Sequence, residues 1–277
     1  MDRSLLGEDL LALLAELVAI PSAYPPGDTS AIAAWSAKLL FGAGYRTEAL
    51  TRRRGVDNIV ARLGSGRPSL VFSAHADTVD AGQRSAWKTD PFQATLRDGR
   101  IYGLGACNCK GSMAVHLWLA REIARRGGPR LGEIVFTFVG DEESLGLDGL
   151  AYLRESRAVA PDWLIVGGPT ANRLVLEERG VMWVRVTTRG RAAHAGAPQL
   201  GDSAILRMHR VMAAIERELA PRLAARRSPV GLASTFSIGK IRGGENTNVV
   251  PESCEIEIDR RLLPAESVEE ALAEIES

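Results

Sequence analysis

Apolar residues recur in two different patterns along the first part of the chain. Helical spacing runs through residues 5–20 and ends at Pro21, and it returns over residues 29–42. Residues 69–73 and 133–139 are instead nearly continuous apolar runs, which are typical of strands buried on both faces of a sheet. The pattern therefore predicts two helices followed by buried strands.

The order of the elements predicts the fold class. Between the two buried strands lies a helical stripe of Met113, Leu117, Ala120 and Ala124. A helix over residues 147–156 and a strand over residues 163–166 follow. This alternation favours an α/β domain with a mostly parallel sheet and flanking helices, which we place at residues 1–180.

Beyond Gly180 the pattern changes. It predicts, in order, a strand at 182–188, a helix at 203–219, strands at 234–241 and 254–260, and a helix at 268–275. This order indicates a smaller α+β domain over residues 181–277. Because one more strand normally closes such an order, we expect the domain to be incomplete.

Composition and charge narrow the classes of partner. The chain has 277 residues, of which 45% are hydrophobic and 25% charged, with a formal net charge of zero. No overall field attracts it to nucleic acid or to anionic membrane, and no apolar stretch is long enough to span a bilayer. Its three cysteines form no disulfide framework. We therefore expect a globular, cytoplasmic protein with small-molecule partners.

Polar residues follow three of the predicted parallel strands. The segments are SAHAD at 73–77, GDEES at 140–144 and GGPT at 167–170. Open α/β sheets hold their sites at the carboxyl ends of the strands, where these segments lie. In extended backbone His75 and Asp77 point the same way, and a carboxylate beside an imidazole commonly orients a metal ligand. The alternative interpretation is a hydrogen-bonded surface pair.

Two adjacent carboxylates follow the strand at 133–139. The side chains of Glu142 and Glu143 diverge, so one can bind a metal while the other carries protons. A solvated acidic loop is the simpler alternative. That both this pair and the His-x-Asp motif directly follow buried strands favours a functional site.

An ordered set of motifs resembles a known family. The motifs are HAD at 75–77, WKTDPF at 87–92, LRDGRIYGLGACNCKG at 96–111, FVGDEES at 138–144, VGGPT at 166–170, GRAAHAG at 190–196, GGENTNVVP at 243–251 and IDRRLLP at 258–264. Together they resemble the dinuclear zinc amide hydrolases, a family that contains acetylornithine deacetylase, succinyl-diaminopimelate desuccinylase, aminoacylase-1 and carboxypeptidase G. The resemblance implies a zinc-exopeptidase-like first domain, a lid and dimerisation domain after it, and a homodimer.

The resemblance also implies roles for individual residues. His75 and Glu143 match zinc ligands, and Asp77 matches the carboxylate behind the histidine. Glu142 matches the general base that takes a proton from water.

Three residues of the second domain match family positions as well. His194 matches a histidine that reaches across a dimer to the oxyanion. Asn248 and Arg260 match positions that hold the substrate, where a guanidinium suits a carboxylate.

The chain departs from the family at its metal ligands. Asn108 stands where relatives have an aspartate that bridges both zincs, and Gly168 stands where they have a carboxylate ligand. The family's last zinc histidine lies beyond residue 277. We therefore expect zinc, or another divalent metal such as cobalt, to be held weakly or substoichiometrically. Cys107 and Cys109 either supply thiolates or are small packing residues, and the second interpretation is favoured.

Three functional hypotheses follow. The first is a metal-dependent amide hydrolase acting on N-acyl amino acids or small peptides, with activity that the ligand changes impair. The second is a non-hydrolytic relative that binds a small carboxylate ligand or performs other acyl chemistry. The third is a truncated, inactive product with an exposed sheet edge.

Overall fold

The computed structural model describes residues 3–175 and 177–276 of the chain. It divides into two compact units, Met1–Asn172 and Arg173–Ser277. No helix in the described residues has both the length and the apolar character needed to cross a membrane.

The first unit combines helices with a central sheet. Its helices are α1 (Arg3–Ala19), α2 (Ser30–Gly42), α3 (Lys110–Arg125) and α4 (Leu150–Glu155). Its strands are β1 (Ala23–Tyr24), β2 (Arg46–Thr51), β3 (Asp57–Gly64), β4 (Ser69–His75), β5 (Thr78–Val79), β6 (Thr95–Arg97), β7 (Arg100–Tyr102), β8 (Glu133–Val139) and β9 (Trp163–Val166).

Five strands form the main sheet in the order β2-β3-β8-β4-β9. Strand β4 is parallel to both β8 and β9, whereas β3 runs antiparallel to β8 and β2 antiparallel to β3. The α/β class predicted from the sequence is confirmed, and the sheet is parallel where the site residues lie. The sequence pattern did not predict β2, because it is an edge strand whose side chains are mostly exposed.

The hydrophobic core explains why these segments form these elements. One face of the sheet packs against α2 and α3, and α1 packs on α3, through residues such as Leu17, Ile32, Met113, Leu117 and Phe136. The strands that the apolar runs predicted are buried along most of their length, because helices and neighbouring strands cover them. Their carboxyl ends are thereby held at fixed positions at one edge of the core.

The second unit contains a three-stranded antiparallel sheet and its helices. In chain order its elements are β10 (Gly180–Arg189), α5 (Ala204–Ala214), α6 (Ala220–Ala225), β11 (Thr235–Gly243), β12 (Ser253–Leu262) and α7 (Val268–Glu276). The strand order is β10-β12-β11. Burial alternates residue by residue along β12, so one face of the sheet is packed and the other is open.

The helix predicted over residues 203–219 is interrupted. After α5, residues Ile215–Leu219 form a wider turn before α6 begins. Pro221 lies in the first turn of α6, and it lacks the N–H group that a continuous helix would require at that position. The predicted core positions Met208, Ile215 and Leu219 are nevertheless buried against the sheet, as expected.

Candidate functional site

The three polar segments that follow parallel strands lie side by side. Because β8, β4 and β9 are neighbours, their carboxyl ends meet at one edge of the sheet. Short backbone hydrogen bonds join the segments, from Ala76 N to Val139 O at 2.7 Å and from Gly167 N to Ser73 O at 2.8 Å. The fold therefore brings together chain segments that are far apart in the sequence.

His75 is the last residue of β4 and is 7% exposed. Its Nδ1 lies 2.9 Å from the backbone oxygen of Asp77 and 3.4 Å from Oδ1 of the same residue. The other carboxylate oxygen of Asp77 accepts a hydrogen bond from Glu143 N at 2.9 Å. Asp77 thus connects the histidine to the loop that follows β8.

Asp77 is 1% exposed, and its Oδ1 atom has no hydrogen-bond partner among the described residues. A buried carboxylate oxygen without a donor is costly unless a neighbouring positive charge compensates for it. The nearest group that can carry such a charge is the imidazole of His75. A carboxylate behind a histidine is the arrangement found at many metal-ligating histidines.

The second nitrogen of His75 faces two oxygen-bearing side chains. Its Nε2 lies 3.3 Å from Oδ1 of Asn108 and 3.8 Å from Oε2 of Glu142. One ligand atom each from His75, Glu142 and Glu143 can be chosen so that all lie within 4.8 Å of one another. Among the described residues this is the cluster whose geometry suits a metal ion.

The electrostatics of the cluster favour added positive charge. Burial lowers the pKa of His75, but the hydrogen bond to Asp77, the neighbouring Cys109 and the charge of Glu142 raise it, with a net rise to about 11. Burial raises the pKa of Glu143; the charge of His75 opposes this rise, and Glu142 and Asp77 add to it. A positive charge between these groups therefore stabilises the folded arrangement.

The loop that carries Glu142 and Glu143 is anchored by Asp141. This residue has a positive φ of 68° and is 6% exposed. Its carboxylate accepts hydrogen bonds from Arg53 Nη2 at 2.6 Å and from Asp148 N at 2.9 Å, and also from Ser144. The sequence did not indicate a role for Arg53, because its partner Asp141 lies 88 positions away and no local pattern predicts the contact.

The two cysteines of the CNC segment lie in different environments. Cys107 is exposed, whereas Cys109 is buried and donates from Sγ to Gly167 O at 3.3 Å. Neither belongs to the metal-like cluster of the described residues. An added Cβ at Gly168 would meet no atom within 4 Å, so this position has room for a larger side chain.

Within the second unit, two residues that the resemblance implied come together. Ala195 N donates to Asn248 O at 2.9 Å, and His194 bridges to Val249. The Nδ1 atom of the exposed His194 accepts from Gly196 N at 3.0 Å, so a neutral ring carries its hydrogen on Nε2. That nitrogen is a hydrogen-bond donor.

The structure corrects the expectation for Arg260. Its side chain is fully buried, and its guanidinium donates to Glu266 at 2.9 Å and also to Ser234 and the backbone oxygen of Arg261. Alternation along β12 turns Arg260 to the packed face and Arg261 to the open face. Arg260 is therefore closed to a ligand, and Arg261 is the arginine of this motif that faces outward.

Comparisons with known proteins agree with this architecture. Residues 176–277 match the family described as peptidase dimerisation domain, and residues 58–164 match peptidase family M28. The succinyl-diaminopimelate desuccinylase of Halorhodospira halophila is 31% identical over 96% of this chain and 71% of its own length. The enzyme of that name from Parvibaculum lavamentivorans is 31% identical over 91% of this chain and 65% of its own.

A solved structure shows the same fold. The M20 family metallo-carboxypeptidase Sso-CP2 from Sulfolobus solfataricus aligns with a TM-score of 0.78 and 17% identity, over 100% of this chain and 75% of that one. At this identity the likeness concerns the fold alone. The chain spans about two thirds of the length of the curated relatives described above.

Proposed function

The chain belongs to the family of metallo-amidohydrolases that includes succinyl-diaminopimelate desuccinylase, and on that premise we propose that it hydrolyses the amide bond of N-acyl amino acids or small peptides. The observation that supports this proposal is the convergence of His75, Glu142 and Glu143 at the carboxyl ends of β4 and β8. An imidazole beside two divergent carboxylates supplies the groups that metal-assisted amide hydrolysis requires.

Burial separates the roles of the two glutamates. The side chain of Glu142 is 56% exposed, which suits a group that takes a proton from water and delivers it to the leaving amine. Glu143 is half-buried, and its backbone is fixed by Asp77, which suits a group that stays in place. Asp77 holds His75 in one orientation from behind.

The residues present fit zinc only in part. His75 and Glu143 are suitable ligands, and the unpaired Oδ1 of Asp77 behind the histidine supports a cation there. A bound zinc would polarise the carbonyl and acidify water. Asn108 offers a neutral amide and Gly168 no side chain, so the family's paired site does not fit this chain. We therefore expect fewer than two zinc or cobalt ions, weakly held.

The second unit is assigned to substrate binding and assembly. His194 presents a donor nitrogen and lies beside Asn248, which supports a role for both in holding the substrate. The match of residues 176–277 to a peptidase dimerisation domain supports a homodimer. Light scattering at micromolar concentration tests the dimer, and a monomer there contradicts it.

Hydrolysis of a panel of N-acetyl and N-succinyl amino acids tests the proposed activity. We expect turnover that depends on added zinc or cobalt and is lost in Glu142→Gln, which keeps the shape of the side chain but cannot accept a proton. Full activity of Glu142→Gln would contradict the proton-carrying role. No turnover of any member of the panel at saturating metal would contradict the function.

The neutral residues at positions 108 and 168 favour a second candidate, a non-hydrolytic relative that binds a small carboxylate ligand. The double variant Asn108→Asp, Gly168→Glu separates the two, because the space at Gly168 admits the longer side chain. Gained zinc together with gained hydrolysis identifies an impaired hydrolase. A lower melting temperature without added metal binding identifies a pocket adapted to neutral residues, because like charges then crowd Glu142 and Glu143.

A further inference from the structure

We propose that Asn58 positions the loop that carries Glu142 and Glu143, because its buried side-chain amide binds both ends of that loop. We call residues 140–149 the glutamate loop. Asn58 lies on β3 and acts through the backbone of the loop, so it is a positioning residue and not a catalytic one. The inference rests on the proposed function, which gives the two glutamates their roles.

The side chain of Asn58 is fully buried and forms three hydrogen bonds to backbone groups. Its Oδ1 atom accepts from Gly140 N at 3.0 Å. Its Nδ2 atom donates to Asp148 O at 2.9 Å and to Leu50 O, on the neighbouring strand β2, at 3.0 Å. Since only an amide offers an acceptor and two donors in this arrangement, the residue type matches its partners. One side chain thus binds the glutamate loop near both of its ends.

Both ends of the glutamate loop are glycines that pack closely together. A Cβ atom added at Gly149 would clash with the backbone oxygen of Gly140. A Cβ atom added at Gly140 would lie 2.9 Å from Thr29 Oγ1. Glycine permits these close approaches because it has no side chain. The loop therefore leaves β8 and returns to α4 through a narrow neck, and Asn58 lies at this neck.

The backbone of the glutamate loop has a conformation that its surroundings must hold. Asp141 and Leu145 have φ angles of 68° and 79°, in the left-handed region that is unfavourable for residues with a side chain. Such a conformation persists only where neighbouring groups impose it. Leu145 is 45% exposed, so packing in the core does not fix its place. The contacts that attach the loop to the sheet therefore decide where the glutamates point.

Asn58 differs from the other groups that reach the loop. Arg53 binds Asp141 from the surface, where its side chain is 44% exposed and water competes for the contact. Asp77 accepts from Glu143 N but belongs to the candidate site itself. The contact of Asn58 with the loop is buried, and its loss would leave a buried N–H group without an acceptor. We therefore expect the position of the loop to depend more on Asn58 than on Arg53.

Isosteric changes test the inference. Asn58→Leu removes all three hydrogen bonds, whereas Asn58→Asp keeps the oxygen that accepts from Gly140 N. Thr137→Val is the matched control, because Thr137 is fully buried on the adjacent strand β8 and its Oγ1 has no partner among the described residues. Each variant nearly conserves side-chain volume, so the comparison isolates the hydrogen bonds to the loop.

Hydrogen exchange of the metal-free full chain, followed by NMR, gives the first readout. The amides of Leu145 and Asp148 are hydrogen-bonded within the loop. We expect them to exchange at least about tenfold faster in Asn58→Leu, while amides inside β4 change less than about threefold. Asn58→Asp should give an intermediate change and Thr137→Val none. Equal acceleration in the loop and in β4 would show only a general loss of stability and would overturn the proposal.

The chemistry of the site gives the second readout, measured on folded protein well below its melting temperature. We expect Asn58→Leu to weaken the binding of zinc, added as zinc chloride, by about 10–100-fold. Its kcat for N-acyl amino acids should fall by a similar factor, with KM changed less than about threefold, because the residues assigned to the substrate lie in the second unit. Unchanged zinc affinity and kcat in this variant would overturn the proposal.

The wild-type protein gives a third readout, which stands even where Asn58→Leu does not fold. The N–H group of Gly140 is buried and bonded to Asn58, so it should exchange as slowly as the amides inside β8. Exchange of this amide at the rate of an unstructured peptide would overturn the proposal.

The same measurements separate this inference from the proposed function. Faster loop exchange and weaker zinc binding in Asn58→Leu, with no hydrolysis by the wild type, support the positioning role and contradict the function. Hydrolysis by the wild type, with unchanged loop exchange and kcat in Asn58→Leu, contradicts the positioning role and leaves the function standing.

Discussion

Two polar clusters in this chain, each built around buried residues, contrast in how their hydrogen bonds are completed. The strand-end cluster of the first unit consists of His75, Asp77, Asn108, Glu142 and Glu143. The arginine cluster of the second unit consists of Arg226, Ser234, Arg260, Glu266 and Glu274. Both contain buried ionisable groups, yet among the described residues only the strand-end cluster has a buried carboxylate oxygen without a donor.

Donors and acceptors are well matched in the arginine cluster. Glu266 accepts from Leu263 N at 2.6 Å, Arg226 at 2.7 Å, Ser234 at 2.8 Å and Arg260 at 2.9 Å. Burial alone raises the pKa of Glu266, but these hydrogen bonds lower it to a net value of about 2. Among the described residues Nε of Arg260 lacks a partner, but both carboxylate oxygens of Glu266 are paired. The negative charge of the cluster is therefore balanced without a ligand, and its role is structural.

The strand-end cluster lacks donors in the same accounting. Asp77 Oδ1 has no hydrogen-bond partner among the described residues, although it lies 3.4 Å from Nδ1 of His75. The comparison shows that buried charge alone does not mark a functional site. What distinguishes the strand-end cluster is a buried carboxylate oxygen that no donor reaches, which is costly unless a neighbouring positive charge compensates for it.

Breaking the arginine cluster should have the largest effect. Arg260→Met removes the buried cation that donates to Glu266, Ser234 and the backbone oxygen of Arg261, so we expect a loss of about 3–5 kcal/mol of unfolding free energy. Urea denaturation monitored by circular dichroism measures it. Arg261→Met, on the open face of the same strand, is the matched control and should cost less than about 1 kcal/mol. Equal losses would contradict the contrast between the two faces of β12.

His116 is a buried histidine outside the strand-end cluster, and it serves as a comparison for His75. Its Nδ1 has no partner among the described residues, and its ring packs on the ring of Phe72 and not on carboxylates. Burial lowers its pKa from 6.5 to about 4. The unfolded chain therefore binds the proton first, and stability falls as pH drops from about 6.5 to 4, by about 3 kcal/mol in total. His116→Met should remove this dependence. An unchanged pH profile of unfolding in the variant would contradict the assignment.

Asp77→Asn should weaken metal binding and leave the stability of the fold nearly unchanged. The amide keeps an oxygen for the hydrogen bond from Glu143 N but removes the negative charge behind His75. We expect zinc binding to weaken about 10–100-fold, with the melting temperature of the metal-free protein nearly unchanged or higher. Calorimetric titration and a thermal scan of both proteins measure the two effects. A large loss of metal-free stability would place Asp77 with the structural arginine cluster instead.

The sequence predicted the residues of the strand-end cluster better than it predicted Arg260 and Arg53. Apolar runs located β8 at its observed bounds and indicated that the polar segments lie at neighbouring strand ends. The assignment of Arg260 was wrong because side chains alternate along a strand, so an error of one residue moves the guanidinium from the open face to the core. Arg53 was missed because its partner Asp141 is distant in the sequence.

Replacing Arg53 is expected to have the smallest effect of these changes. It tests whether metal binding depends on the contacts that hold the loop with Glu142 and Glu143. Its guanidinium lies 2.6 Å from Asp141 Oδ1 and 2.7 Å from Asp148 Oδ2, and thereby holds the loop that carries Glu142 and Glu143. Because its side chain is 44% exposed, we expect Arg53→Met to cost only about 1 kcal/mol of stability. Zinc binding should weaken a few-fold, since Glu143 then loses its fixed position.

Arg52→Met is the matched control. That arginine pairs with Glu155 and Asp148 but not with Asp141, so its loss should leave zinc binding unchanged. The same zinc affinity in both variants would show that the loop keeps its conformation without Arg53, and that Ser144 and the backbone of Asp148 suffice to hold Asp141.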